Sequence, residues 1–259
     1  MALSEAEYQT FFDRGVVKIK SAFSERDAAH MVDKIWSLLE SDHGMRRDSQ
    51  ETWNLKQATG FQSLTKAGIF NPIATPKIAD ILDDLLGHGE WKPATTWGAP
   101  LVTFPERTTW DVPRAQWHLD FPARGKSDVQ PGVRVLAFIA EVRPRSGGTV
   151  VAEGTHRLVE RLVAAGQVPG GHSAAVRDVL AANYSWLRGL WTQTSDQPNR
   201  IDTYTQQGCV IDGVNIRVSE LTGEAGDVMF MHPWTFHAPA PNCSSVPRLM
   251  VSHSVYRNC

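Results

Sequence analysis

Apolar residues recur along the chain in two rhythms, and the change from one to the other divides it. After Ser24, the residues Ala28, Met31, Ile35, Leu38 and Leu39 return every three or four positions, the period of a helix with one buried face. SERDAAHMVDKIWSLLE is therefore expected to be helical, with Ser24 opening it. The stretch after Ser4 reads the same way, with Ser4 as N-cap and Glu7 three residues later completing a capping box. Ile78, Ile81, Leu82 and Leu85 mark another helix, about Pro76 to Leu86, that stops at Gly87. VVKIK between the first two helices is a short strand, and the segment around Asp48 to Gly60 is polar and irregular.

From Trp91 the rhythm shortens. APLVTF, AQWHLD, RVLAFIAEV, GTVVAE, VSELTG, GDVMFMH and PRLMVSHSVY are short β runs separated by Pro and Gly, the pattern of a sandwich or barrel. A long stretch from Leu158 to about Val214 interrupts them; it starts helically and passes through NYSWLRGLWTQTSDQPNR. Insertions of this length inside a compact domain usually serve as lids or binding loops. There is no internal repeat, low-complexity tract or linker, so one domain over 1–259 is expected, mainly β with flanking helices and a lid at about 158–214.

Composition narrows the chemistry. A chain of 259 residues can bury a full core as one domain. Its 26 basic and 28 acidic residues leave a formal net charge of -2, which gives no general pull toward nucleic acid or anionic membrane. No apolar run is long enough to span a bilayer, and MALSEAEYQTFFDRG lacks the basic-then-apolar layout of a signal peptide, so a cytoplasmic protein is expected. Cys209, Cys243 and Cys259 are odd in number and widely spaced, which points to neither a disulfide framework nor a thiolate zinc site. Any metal must therefore be held by histidine and carboxylate.

QWHLDFP supplies a start. His118 and Asp120 are two apart, so on an extended strand both side chains point to one face and can converge on one ion. A mononuclear centre needs a further ligand from a distant strand. GDVMFMHPWTFHAPAPN offers His232 and His237, and Pro233 ends or bends the strand between them; the pattern itself does not choose. Two histidines and one carboxylate on one face of an octahedral metal leave the opposite positions open, the arrangement of non-haem iron(II) oxygenases. Arg248 alternates with Leu249, Val251 and Val255 so that it faces away from them, where it could clamp the far carboxylate of 2-oxoglutarate with paired charge-assisted hydrogen bonds.

Taken in order, His118-Leu119-Asp120, Ser146-Gly147-Gly148-Thr149, Glu153-Gly154-Thr155-His156-Arg157, and Gly226-Asp227 through His232-Pro233-Trp234, His237, Asn242 and Arg248 resemble the phytanoyl-CoA dioxygenase (PhyH-like) family. The resemblance runs through nearly the whole chain and is weakest in Leu158 to Val214. It implies a double-stranded β-helix (jelly-roll, cupin-like) core, iron(II) as cofactor, and 2-oxoglutarate and dioxygen as co-substrates. In that family the last metal histidine lies about eleven residues before the co-substrate arginine, which selects His237, paired with Arg248, over His232. Phe138 falls where the family often packs an aromatic ring against the co-substrate, while His156 and Arg157 read as turn residues or pocket rim. Related halogenases carry a small residue in place of the carboxylate, so the intact Asp120 favours hydroxylation of a C–H bond, with release of succinate and CO2.

The substrate is expected to be a small molecule. Gln116 and Trp117 flank the ligand pair, and Tyr184, Trp186, Arg188, Trp191 and Arg200 offer aromatic walls and cations; the same tryptophans could equally fill a small secondary core. Two other classes fit the residues less fully: a cupin-type metal enzyme that does not use 2-oxoglutarate, which would not need Arg248, and a non-catalytic binding protein on a decayed barrel, which would not need the full set.

Overall fold

The computed structural model describes residues 1–124, 129–168, 170–192 and 199–258. Ser4 and Glu7 form the expected reciprocal box at the start of α1 (Glu5–Arg14), and Gly15, left-handed at φ 74, turns the chain into β1 (Val16–Ile19). Ser24 accepts from Asp27 N and opens α2 (Glu25–His43). The polar segment that follows holds a 3-10 turn, Gln50–Thr52, and the two-residue β2 (Gln57–Ala58). After α3 (Gln62–Lys66), Thr75 caps α4 (Pro76–Leu86), where Pro76 occupies a first-turn position that needs no N–H partner.

The remaining strands are β3 (Ala99–Thr103), β4 (Gly132–Phe138), β5 (Thr149–Glu153), β6 (Cys209–Ile211), β7 (Val214–Glu220), β8 (Val228–Met231), β9 (His237–Pro239) and β10 (Arg248–Tyr256). They form a six-stranded sheet, β1-β8-β4-β10-β3-β2, and a four-stranded sheet, β6-β7-β5-β9, and the strand pairs within both are antiparallel. This is the mainly β, jelly-roll-like architecture the sequence implied.

Alternation along the strands sorts side chains into layers. On β4, Val133, Val135 and Ala137 face outward and pack, with Leu249, Val251 and Val255 of β10, against Met31 and Ile35 of α2 and Ile81 and Leu82 of α4. The alternate residues Leu136, Phe138 and Met250 face inward and meet Val151 of the smaller sheet. The far side of that sheet is covered by α5 (Thr155–Ala164), α6 (Ser173–Asn183) and α7 (Ser185–Trp191), whose Leu158, Leu180 and Leu187 share a second core with Trp117 and Phe236.

Three expectations change. AQWHLD is not a strand: Gln116 sits in the left-handed region at φ 64, which breaks the extended run, and only His118 makes a β-bridge. β9, which begins at His237, is a strand of its own after the turn at Pro233, and Cys209–Ile211 adds a strand the alternation did not reveal. The insertion from Leu158 is largely helical and ends in a π-helical turn, Asp202–Gln207; its residues 169 and 193–198, like Cys259, lie outside the described residues. Cys209 and Cys243 are free thiols. No described helix is long and apolar enough to cross a membrane.

Candidate metal centre

His118 and His237 are direct partners. His118 N donates to His237 O at 3.0 Å and His237 N donates back to His118 O at 3.1 Å. Residues opposed in such a hydrogen-bonded antiparallel pair project to the same side of the ladder, which leaves the ring centroids 4.2 Å apart. Asp120, two residues beyond His118, joins them, and one ligand atom from each of the three side chains lies within 4.8 Å of the others. The convergence expected from a strand is thus delivered by a loop held at one bridge.

The tautomers follow from the hydrogen bonds. The Nδ1 of His118 lies 2.7 Å from Gln116 O, and that of His237 lies 3.0 Å from Thr235 O. A carbonyl can only accept, so each Nδ1 carries the proton and each Nε2 keeps its lone pair for a ligand role. The left-handed backbone of Gln116 has a use here, since its carbonyl holds the His118 ring. Burial pushes the His237 imidazole down to about 4, opposed in part by the charge of Asp120, so the ring is neutral near pH 7. Asp120 Oδ2 lies 3.5 Å from His237 Nε2 and 3.3 Å from Arg134 Nε, yet it is buried with no aligned hydrogen bond. A buried carboxylate oxygen without a hydrogen bond, beside two imidazoles with free lone pairs, fits a hard divalent cation.

Arg248 stands on the inner face of β10, two residues from Met250, which pairs with Phe138. Its guanidinium is 5 % exposed and donates through Nη2 to Thr103 Oγ1 at 2.8 Å, while Nε is buried with no partner. Burial pulls its pKa down to about 10, offset in part by the charge of Glu220. Among the described residues no carboxylate comes within ion-pair distance of it. A charged, buried and under-satisfied guanidinium fits an anionic ligand that completes its hydrogen bonding. Phe138 is fully buried on the same inner surface. Asn242 donates to Thr103 O and Val246 O, pinning the loop that leads into β10.

The other histidine of the pair left open by the sequence lies elsewhere. His232 accepts from Trp234 N, stands 3.6 Å from Glu160 and stacks near His156, outside the converging trio. His156 Nε2 donates to Phe12 O, and the Arg157 guanidinium lies 5.0 Å over the Phe12 ring, so both tie α1 to α5. Gly154 precedes them at φ 79, where a Cβ would meet Asn215 O at 2.4 Å.

Of the residues expected to meet substrate, Gln116 and Arg188 are exposed. Trp186 is half-buried against Tyr204, with ring centroids 4.7 Å apart, and Trp191 packs on Phe236. Trp117 is 3 % exposed in the second core and donates its indole N–H to Pro113 O. Tyr184 donates to Asp212, and Arg200 is buried, donating to the carbonyls of Gly189, Val112 and Leu190. Arg134 and Thr103 join Asp120 and Arg248 from the neighbouring strands. Arg134 carries a legible signal: it shares the inward parity of Leu136 and Phe138, where a charge is out of place unless it has partners.

The family model of phytanoyl-CoA dioxygenase (PhyH) matches residues 11–250. No curated protein sequence matches the chain. Among solved structures, EctD from S. alaskensis with 2-oxoglutarate and 5-hydroxyectoine superposes at a TM-score of 0.57 and 15% identity, over 99% of this chain and 77% of that one. AviO1 from Streptomyces viridochromogenes Tue57 gives 0.56 at 15% identity, over 99% and 96%. The epimerase SnoN in complex with Fe3+, alpha ketoglutarate and nogalamycin RO gives 0.53 at 16% identity, over 98% and 83%. At these identities the likeness is one of fold.

Proposed function

The chain belongs to the phytanoyl-CoA dioxygenase family of iron(II)- and 2-oxoglutarate-dependent oxygenases, and from that premise we propose that His118, Asp120 and His237 hold its iron, Arg248 holds its 2-oxoglutarate, and the reaction hydroxylates a small molecule. Iron(II), 2-oxoglutarate and dioxygen are the cofactor and co-substrates of this enzyme class. The observation that carries the site assignment is the reciprocal His118–His237 bridge, which aligns two Nε2 lone pairs beside the Asp120 carboxylate.

When bound, iron(II) with 2-oxoglutarate and dioxygen would supply C–H oxidation, with 2-oxoglutarate converted to succinate and CO2. The protein's own contribution is placement. Gln116 O and Thr235 O fix both imidazole tautomers, and Asp120 supplies one negative charge. The buried Arg248 pairs with the distal carboxylate of 2-oxoglutarate, Thr103 orients the guanidinium, and Phe138 presents an apolar ring on the same inner surface. An intact carboxylate at position 120 leaves no metal position for a halide, which supports hydroxylation over halogenation.

The segment at about 158–214 serves as the lid in this reading. It is bonded to the ligand loop itself: Leu119 N donates to Ser173 Oγ and Ala123 N donates to Gly171 O. Substrate then meets Gln116 from the loop and Trp186 and Arg188 from the lid, while Trp117 acts through the loop it anchors. A cytoplasmic location accords with the absence of a spanning helix among the described residues.

Anaerobic addition of iron(II) and 2-oxoglutarate to the full chain is expected to give the visible charge-transfer absorption of a chelated complex. A metabolite screen read by succinate release then identifies substrate, and the product should gain one oxygen atom. His118→Ala should abolish both the absorption and succinate release; a fully active variant overturns the ligand assignment.

A further inference from the structure

Asp120 is the least secured of the converging side chains. It sits in a loop and not in a strand, and among the described residues no hydrogen bond reaches its buried Oδ2. Among the described residues, the one group that approaches with charge from outside the trio is Arg134, at 3.3 Å from Nε to Oδ2. The rest of that guanidinium is fixed by the neighbouring strand. Nη1 donates to Ser254 Oγ at 2.6 Å and Nη2 donates to Ser252 Oγ at 3.1 Å. The register explains the fit: Arg134 lies directly opposite Ser254, Ser252 lies opposite Leu136, and all four residues share the inner face of paired β4 and β10. Ser252 sends its own hydroxyl proton to Ala99 O, so its oxygen is free to accept.

We infer that Arg134 is a positioning residue of the metal centre, clamped by Ser252 and Ser254 so that its charge, in ion-pair contact with Oδ2, holds the Asp120 carboxylate in place for the cation. All three guanidinium nitrogens are engaged, which separates this role from capture of a substrate anion. The planar fork matters, because a lysine ammonium could reach the carboxylate or the hydroxyls but could not span both. Groups that orient metal ligands from behind are commonly worth about 10–100-fold in metal affinity. The inference rests on the proposed metal centre and adds to it a residue that does not touch the ion.

The test uses Co(II) as probe, titrated anaerobically into the full chain without 2-oxoglutarate and followed by calorimetry and by the visible ligand-field spectrum. Wild-type protein should bind one Co(II). Arg134→Gln should weaken that binding about 10–100-fold and alter the spectrum, because the carboxylate is no longer held in one orientation. Arg134→Lys should recover only part of the affinity. A folded Arg134→Gln protein with wild-type affinity and spectrum overturns the inference. Should Arg134→Gln fail to fold, the double variant Ser252→Ala with Ser254→Ala keeps the charge and removes only the clamp; weaker Co(II) binding supports the inference and unchanged binding overturns it. A wild-type chain that binds no Co(II) overturns the metal-centre reading first, before any variant is compared.

Discussion

Arg248 carries a cost to the fold that its proposed role would offset. Its guanidinium is buried and, among the described residues, has a single hydrogen-bonded side-chain partner in Thr103 and an unsatisfied Nε. A buried cation without a paired anion destabilises the ligand-free protein, since even buried ion pairs replaced by apolar residues of similar volume often leave the fold more stable by about 1–4 kcal/mol. Arg248→Met should therefore raise the melting temperature of the ligand-free chain while weakening 2-oxoglutarate by roughly 10–150-fold, the loss of charge-assisted hydrogen bonds of about 1.5–3 kcal/mol. Calorimetry and a melting scan on the same preparation check both halves; a variant that is less stable and binds 2-oxoglutarate normally contradicts the assignment. The sequence exposed Arg248 through strand parity and through its place in the motif order. It did not expose Thr103, because a threonine ending a strand carries no mark of what its hydroxyl meets.

At the scale of elements, the junction of α1, α5 and the β8–β9 turn is held by His156, whose Nε2 donates to Phe12 O. Burial lowers its pKa from 6.5 to about 4, with the Phe12 hydrogen bond opposing. The folded protein thus binds fewer protons at His156 than the unfolded chain between those values. Its contribution is fully present above pH 6.5 and is lost as pH falls toward 4, at most about 3 kcal/mol by linkage. Glu160 works against it: burial raises this carboxyl to about 7, so protonation of the folded state near pH 7 and below adds stability. Comparing variants removes that background. His156→Gln keeps a donor for Phe12 O and cannot titrate, so its melting temperature should fall less than the wild type's between pH 6.5 and 4; parallel curves would refute the role. The same scale explains the strand that failed. AQWHLD has the alternation of a strand, but Gln116 is left-handed and Trp117 turns its indole to Pro113 O, so the run bends after a single bridged residue.

For the whole molecule, the converging side chains lie on segments far apart in the chain, so the proposed site exists only in the folded state. Ligands that bind only the folded state stabilise it by mass action. Iron(II) with 2-oxoglutarate, each at about a hundred times its Kd under anaerobic conditions, should add about 2.7 kcal/mol per ligand and raise the melting temperature by roughly 5–10 °C for each. The 2-oxoglutarate share should fall to about 0.3–1.4 kcal/mol in Arg248→Met at the same ligand concentration, and a melting temperature indifferent to both ligands would contradict the proposed site. The sequence by itself determined the capped helices, most of the strands, the order of the motifs and hence the family, because caps, turn residues and apolar period act over a few neighbouring residues. Its motif order also pointed to His118, Asp120, His237 and Arg248. Only the tertiary structure decided why His237 and not His232 meets His118, that Trp117 lies in a core, and that Arg134 stands behind Asp120. Each of these depends on which distant backbone groups pair, and such long-range pairing leaves no periodic trace in the residues that take part.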